Sequence, residues 1–195
     1  MSLGEPQLVL AGDGRLFMSL RTTPLKNAAQ AKYHHALTFS LTDGETWAVP
    51  TLIQGLGYNP NCDGSFVIVP GIGSQKEKFI ATFPTGDGAT PGGFAEWRHN
   101  LTSFVASTTR NEPLSDLVWS PYKTLDASFA AYSSLLLAAT PAPTLPQMVH
   151  VAFESGNETA MQGNYDPERA TSLSAITFLT FPAPLKSDDN TANYS

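Results

Sequence analysis

Ser40-Leu41-Thr42-Asp43-Gly44-Glu45-Thr46-Trp47 joins a sharp reversal to a large aromatic side chain. Asp-Gly marks a tight turn, because Gly accepts the positive φ that such a reversal demands and short polar side chains can bond the turn's own backbone. The residues leading into it, His34 to Ser40, read as a strand that stops at Thr42-Asp43-Gly44. Upstream, Gln7 to Leu10 and Arg15 to Leu20 flank Ala11-Gly12-Asp13-Gly14, a strong hairpin signal. Downstream, Ser65 to Val69 is a short apolar run closed by Pro70-Gly71, and Lys78 to Phe83 is stopped by Pro84. Leu101 to Ser107, Ser134 to Ala139, Met148 to Phe153 and Ala175 to Phe181 complete the set. No stretch sustains a helical period, so the chain reads as all-β, with about eight to ten short strands.

Composition agrees with that reading. Hydrophobic residues make up 42% of the 195, enough for a packed core, whereas charged residues make up only 14%, well under the roughly 25% of an average globular chain. The 15 Gly and 15 Pro are spread along the chain, as turns between short strands require. A net charge of −6 excludes nucleic acid as the expected partner, since that binding is driven by Lys and Arg neutralising phosphates. The single cysteine, Cys62, excludes an internal disulfide framework and a cysteine-rich zinc site. His34 and His35 are adjacent and would point to opposite faces of a strand, and His99 and His150 have no partner pattern. No metal and no cofactor is therefore expected. The longest apolar run, Phe129 to Ala139, is too short for a membrane span. No signal peptide is visible at Met1 to Pro6. Asn100-Leu101-Thr102 and Asn157-Glu158-Thr159 are sequons, of the weak kind that arises by chance.

Ser40 to Trp47 also resembles the Asp box, Ser-x-Asp-x-Gly-x-Thr-Trp, a structural turn on the outer strands of propeller blades. Ser40, Gly44, Thr46 and Trp47 match in register; Thr42 holds the Asp position and Asp43 follows one place later. Around it stand Glu5-Pro6-Gln7, the Asp13-Gly14 turn with a strand ending at Arg21, and Asn59-Pro60-Asn61-Cys62-Asp63-Gly64-Ser65. Arg98-His99-Asn100-Leu101-Thr102, Ala131-Tyr132-Ser133-Ser134-Leu135 and Phe153-Glu154-Ser155-Gly156 follow in order. Together these pieces resemble the sialidase (exo-α-neuraminidase) family, over nearly the whole chain. The resemblance implies a six-bladed β-propeller, of which residues 1–181 would form about three blades, the C-terminal half, with 182–195 a polar tail. It implies sialylated glycoconjugates or free sialic acid as ligands, and it would allow secretion.

The resemblance also assigns roles. Sialic acid carries a carboxylate on its anomeric carbon, so an anionic nucleophile would be repelled there. A Tyr hydroxyl is neutral near pH 7 and attacks once a carboxylate takes its proton; sialidases are the Tyr-nucleophile exception among glycosidases. By position, Tyr132 is the nucleophile and Glu5 its base. Arg21 and Arg98 match two members of an arginine triad that grips the sugar carboxylate. Glu154 matches the carboxylate that orients the triad's first arginine. By residue type alone, Tyr132 reads as a core tyrosine, Glu5 as a solvated charge, and Arg21 and Arg98 as surface residues.

The chain departs from the family at its start. The first triad arginine and the general-acid Asp lie well upstream of the Glu matching Glu5, and only four residues precede Glu5 here. Ser107 to Trp119 keeps the Ser and Trp ends of a second box without its Gly or spacing. Three readings stay open: an exo-sialidase or its C-terminal half, a non-catalytic sialidase-like glycan-binding protein, and an unrelated β-sandwich. Half a propeller would expose blade faces meant for burial, calling for the missing half or for self-association.

Overall fold

A computed structural model of the chain describes residues 2–23, 35–53, 56, 64–70, 76–85, 99–108, 112–138, 147–156 and 173–184. Arg98, Cys62, His34, the second sequon and the tail from 185 onward lie outside the described residues. The described chain is all-β, its one helical element being a 3₁₀ turn at Leu114–Asp116. Ten strands follow in order: β1 (Ser2–Leu10), β2 (Leu16–Thr23), β3 (His35–Ser40), β4 (Thr51–Leu52), β5 (Ser65–Val69), β6 (Glu77–Pro84), β7 (His99–Thr108), β8 (Ser120–Leu137), β9 (Met148–Gly156) and β10 (Leu173–Pro182).

The strands form two antiparallel hydrogen-bonded sheets, ordered β1-β2-β3-β4 and β10-β9-β8-β7-β6-β5. The second sheet is two blades sharing one long strand. Residues Ser120 to Phe129 of β8 pair with β7, and residues Phe129 to Leu137 pair with β9, the two stretches meeting at Phe129. β8 thus closes the second blade as its outer strand and opens the third as its inner strand. The result is three blades of a propeller: β1 to β4, then β5 to β7 with the first half of β8, then the rest of β8 with β9 and β10.

Burial follows this arrangement. The middle blade is covered on both faces, so β5 is buried at every position. Its alternate side chains serve two cores. Phe66 and Ile68 join Phe17 and Leu37 of the first blade, with Phe79, Phe83 and Phe104. Val67 and Val69 join Leu135, Val149, Val151, Phe153 and Phe181 of the third blade. Two-sided burial explains why β5 reads in sequence as a continuous apolar run rather than an alternating one.

The inner strands meet at Ser65. Its Oγ accepts a hydrogen bond from Gln7 Nε2 of β1 at 3.0 Å and from the Leu135 backbone N–H of β8 at 2.7 Å. One buried hydroxyl therefore touches the first strand of all three blades.

The expected hairpin at Ala11 to Gly14 is present, with β1 paired to β2 and Gly14 N–H donating to Ala11 O at 3.1 Å. The first half of β8 was not expected as a strand. Its Ser, Thr, Lys and Ala residues carry no clear alternation, because register shifts toward β7 disrupt the two-residue period. The chain stays packed beyond Phe181: Ala183 is buried, and its N–H donates to Gln147 O at 2.7 Å.

Candidate active site at the start of the inner strands

Strand register places four of the five expected site residues at one end of the blades. Ser65 opens β5 opposite Thr82, near the end of β6. β7 begins beside that point, with Leu101 opposite Pro84, and the first half of β8 ends there, with Phe129 opposite His99. Tyr132 follows Phe129 by three residues. On β1, Glu5 lies two residues before the Gln7 that bonds Ser65. The opposite end of β1 is fixed by Gly12 N–H, which donates to Glu77 at the far end of β6 at 3.2 Å. Glu5 and Tyr132 therefore share an end, although they are 127 positions apart in a chain that crosses all three blades between them.

Local irregularities aim these side chains. The β1–β2 register shifts between Gly4 and Gln7, so Glu5 and Pro6 together oppose the single residue Leu20. Glu5 takes a φ of 50°, a left-handed conformation unusual for a residue other than Gly. A bulge of this kind re-aims a side chain out of the ladder. The Glu5 carboxylate lies 2.8 Å from Nε of Arg21, which stands opposite Gly4 on β2.

A second shift separates Ala130 from Ser133 in the β8–β9 pairing, so Ala131 and Tyr132 bulge opposite Glu154. Ala131 is fully buried and Tyr132 is 40% exposed. The bulge is pinned on its far side by Ser133, whose Oγ lies 2.9 Å from Thr82 Oγ1. Glu154 is half-buried and stands opposite Ile176 of β10.

A third irregularity marks the start of β7. Asn100 has a φ of 53°, and the β7–β8 register shifts across it. Its carbonyl accepts from Thr85 N–H at 3.2 Å, Thr85 Oγ1 at 3.2 Å and Thr102 Oγ1 at 3.0 Å. This clamp fixes the chain two residues after Arg98, itself outside the described residues. The family resemblance singled out Glu5, Arg21, Tyr132 and Glu154 in the sequence, and the strand register brings these four to one end of the blades. Ser65 and Asn100 were part of the quoted family pieces but had no stated role, and the bulges themselves carried no signal, because a register shift or a non-Gly residue at positive φ, as at Glu5 and Asn100, looks ordinary in a sequence.

The turn after β3 is held by side chains. Ser40 Oγ accepts from Thr42 N–H at 3.1 Å and Gly44 N–H at 2.9 Å. Thr42 Oγ1 accepts from Thr46 N–H at 2.9 Å, and Trp47 Nε1 donates to Gly44 O at 2.9 Å. Asp43 and Gly44 both have positive φ, at 51° and 91°. In the second blade the corresponding connection, between β7 and β8, holds the 3₁₀ turn and a buried Trp119, whose ring lies 6.3 Å from that of Phe79.

The backbone is similar to solved sialidase-type structures. A leech intramolecular trans-sialidase with 2,7-anhydro-Neu5Ac superposes at a TM-score of 0.58 and 20% identity, covering 91% of this chain and 23% of that one. An intramolecular trans-sialidase from Ruminococcus gnavus with oseltamivir carboxylate gives 0.52 and 19%, covering 80% and 29%. NanB with optactamide gives 0.55 and 22%, covering 77% and 20%. No protein-family model matches the sequence. No curated protein matches it either. The chain spans about a quarter of the length of these structures. The fold is sialidase-like: about three blades of a six-bladed β-propeller.

Proposed function

We propose that the chain is the C-terminal part of an exo-α-sialidase-type glycoside hydrolase. Such an enzyme removes terminal sialic acids with retention through a Tyr nucleophile. The observation that carries this reading is the convergence of Glu5, Arg21, Tyr132 and Glu154, from four different strands, at one end of the blades. The three irregularities at Glu5, Asn100 and Tyr132 support it, because bulges gather where a fold must aim side chains.

In this reading Glu5 takes the Tyr132 proton as the hydroxyl attacks the anomeric carbon, and the sugar carboxylate meets a planar cation rather than an anion. Glu5 holds Arg21 by its Nε edge. The Nη1–Nη2 fork is the part of a guanidinium that grips a carboxylate in two parallel bonds. Arg98 is assigned the second fork. Glu154 is assigned to orient a further arginine brought by the neighbouring blade. Ser40 to Trp47 serves as an Asp box in which Thr42 replaces the Asp as acceptor. The ligands are sialylated glycoconjugates or free sialic acid.

The family's Asp general acid and first arginine have no counterpart in the 195 residues. Natural sialosides, whose leaving group must be protonated, should therefore resist the isolated chain. An aryl sialoside releases a phenol that needs little acid help. The purified chain is expected to turn over a fluorogenic aryl sialoside slowly, with Tyr132→Phe losing roughly 100-fold or more of that rate. Arg98→Lys should raise KM while keeping the charge, because the planar fork is lost. An aryl rate unchanged in Tyr132→Phe would overturn the nucleophile assignment. Hydrolysis releases free sialic acid. An anhydro product would instead indicate the intramolecular transfer named for two of the similar structures.

A further inference from the structure

His35 is the polar end of an otherwise apolar row. Phe39, Leu37 and His35 alternate along β3 and stand opposite Phe17, Ser19 and Arg21 of β2. Phe17, Leu37 and Phe39 pack against the second blade. His35 shares their face and is only 4% exposed.

The imidazole is fixed from several sides. Its ring lies on that of Phe83 in β6, with centroids 3.8 Å apart and planes inclined by 36°. Phe83 is itself buried and packs on Phe104 at 6.3 Å between centroids. It is also closed in by Gly64, where an added Cβ would run into the Phe83 ring and the Thr82 carbonyl. The His35 carbonyl accepts from Ile53 N–H at 2.8 Å, which ties down the backbone. The ring is therefore a flat wall with little freedom to move. Residues directly opposite in an antiparallel pair share a face, with Cβ atoms about 5 Å apart, so this wall stands beside Arg21. On the other side of Arg21 the row continues to Gly4, which presents no side chain and leaves open space where a Cβ would be. From that strand the bulged Glu5 brings its carboxylate to 2.8 Å from Arg21 Nε.

We propose that His35 is a positioning residue for Arg21: its ring, backed by Phe83, supports the flat side of the guanidinium while Glu5 holds the Nε edge. Glu5 alone fixes one edge and leaves the guanidinium plane free to turn about that bond. A rigid ring beside it removes that freedom, because a guanidinium stacks on aromatic faces. The Nη1–Nη2 fork is then held ready for a carboxylate. His35 itself touches no substrate. The inference rests on the sialidase-type reading for what the fork would grip, and on the packing alone for how the fork is held.

The Nε–Hε resonance of Arg21 in the ¹⁵N-labelled chain, assigned by its loss in Arg21→Lys, reports the orientation without any sugar. His35→Phe keeps a flat ring, whereas His35→Leu keeps bulk without flatness. The Arg21 signal should persist in His35→Phe and should shift or broaden away in His35→Leu. Binding of N-acetylneuraminic acid, read from amide shifts, should be roughly tenfold weaker in His35→Leu only, the order expected for losing a partly desolvated cation–aromatic contact. Leu37→Ala, one row along on the same face, also loosens the core but should leave the Arg21 signal and the sugar affinity as in wild type. Should His35→Leu fail to fold, Phe83→Leu withdraws the ring behind His35 and should give the same loss of signal. An Arg21 signal unchanged in His35→Leu, lost equally in His35→Phe, or lost equally in Leu37→Ala would overturn the proposal. A wild-type chain that binds no sialic acid would count against the functional reading instead, and the Arg21 signal would still decide the role of His35.

Discussion

At the residue scale, Thr42 shows how a side chain can take over a role assigned to its neighbour. Asp43 is the acid in the sequence, yet Thr42 Oγ1 accepts from Thr46 N–H, and Ser40 Oγ holds two more backbone donors. Thr42→Val keeps the shape and removes the acceptor, leaving the Thr46 amide to find water. The expected loss is about 1 kcal/mol in urea denaturation, with Thr42→Asp at or above wild-type stability because a carboxylate is the stronger acceptor. Equal stability for Thr42→Val would mean that the turn is held by Ser40 and Trp47 alone. The turn was legible from Ser40, Gly44 and Trp47, which have one evident job each. Which of Thr42 and Asp43 bonds the backbone was not, since both types can do so.

At the element scale, the register of strands around two buried polar groups decides how the blades join. Ser65→Ala removes the hydroxyl that accepts from the buried Leu135 amide, together with the Gln7 contact. Leaving a buried donor unpaired costs roughly 1–3 kcal/mol, and the loss should appear as a lower urea midpoint. A shift within error would remove Ser65 as the link between inner strands. At the far end, Arg15, only 3% exposed, sits over the Phe17 ring at 4.9 Å and lies 2.7 Å from Asp13 and 3.5 Å from Glu77. Burial raises the Glu77 pKa above its ordinary 4.5, with Asp13 adding to the rise and Arg15 and the Gly12 amide opposing it. A carboxyl whose folded pKa is raised binds more protons folded than unfolded. Its contribution is thus most favourable below 4.5 and falls as pH climbs through the raised folded value. Glu77→Gln should flatten that fall in stability between pH 4.5 and the raised value, read from urea midpoints across pH. A steeper fall in the variant would reverse the assignment.

Most strands could be read from apolar runs and their turn residues, and β5 matched its expected bounds, Ser65 to Val69. The first half of β8 could not, because it serves two blades and its register shifts break the alternation. The candidate site was legible in part for a related reason. Residue types and order pointed to Glu5, Arg21, Tyr132 and Glu154, whereas their aim depends on backbone irregularities at Glu5 and Tyr132 that no side chain announces.

At the scale of the whole molecule, the proposed function makes one claim: a sialic acid binds at the end where the inner strands of the three blades start. Titration of the ¹⁵N-labelled chain with N-acetylneuraminic acid, followed by amide chemical shifts, tests that claim most directly. The account predicts that millimolar sugar perturbs amides around Gly4, Gln7, Arg21, Ser65, Leu101, Ser133 and Glu154, scattered in sequence and gathered at one end by the register. Perturbation centred on the opposite end, around Gly12, Val69 and Glu77, or no perturbation at all, would contradict it.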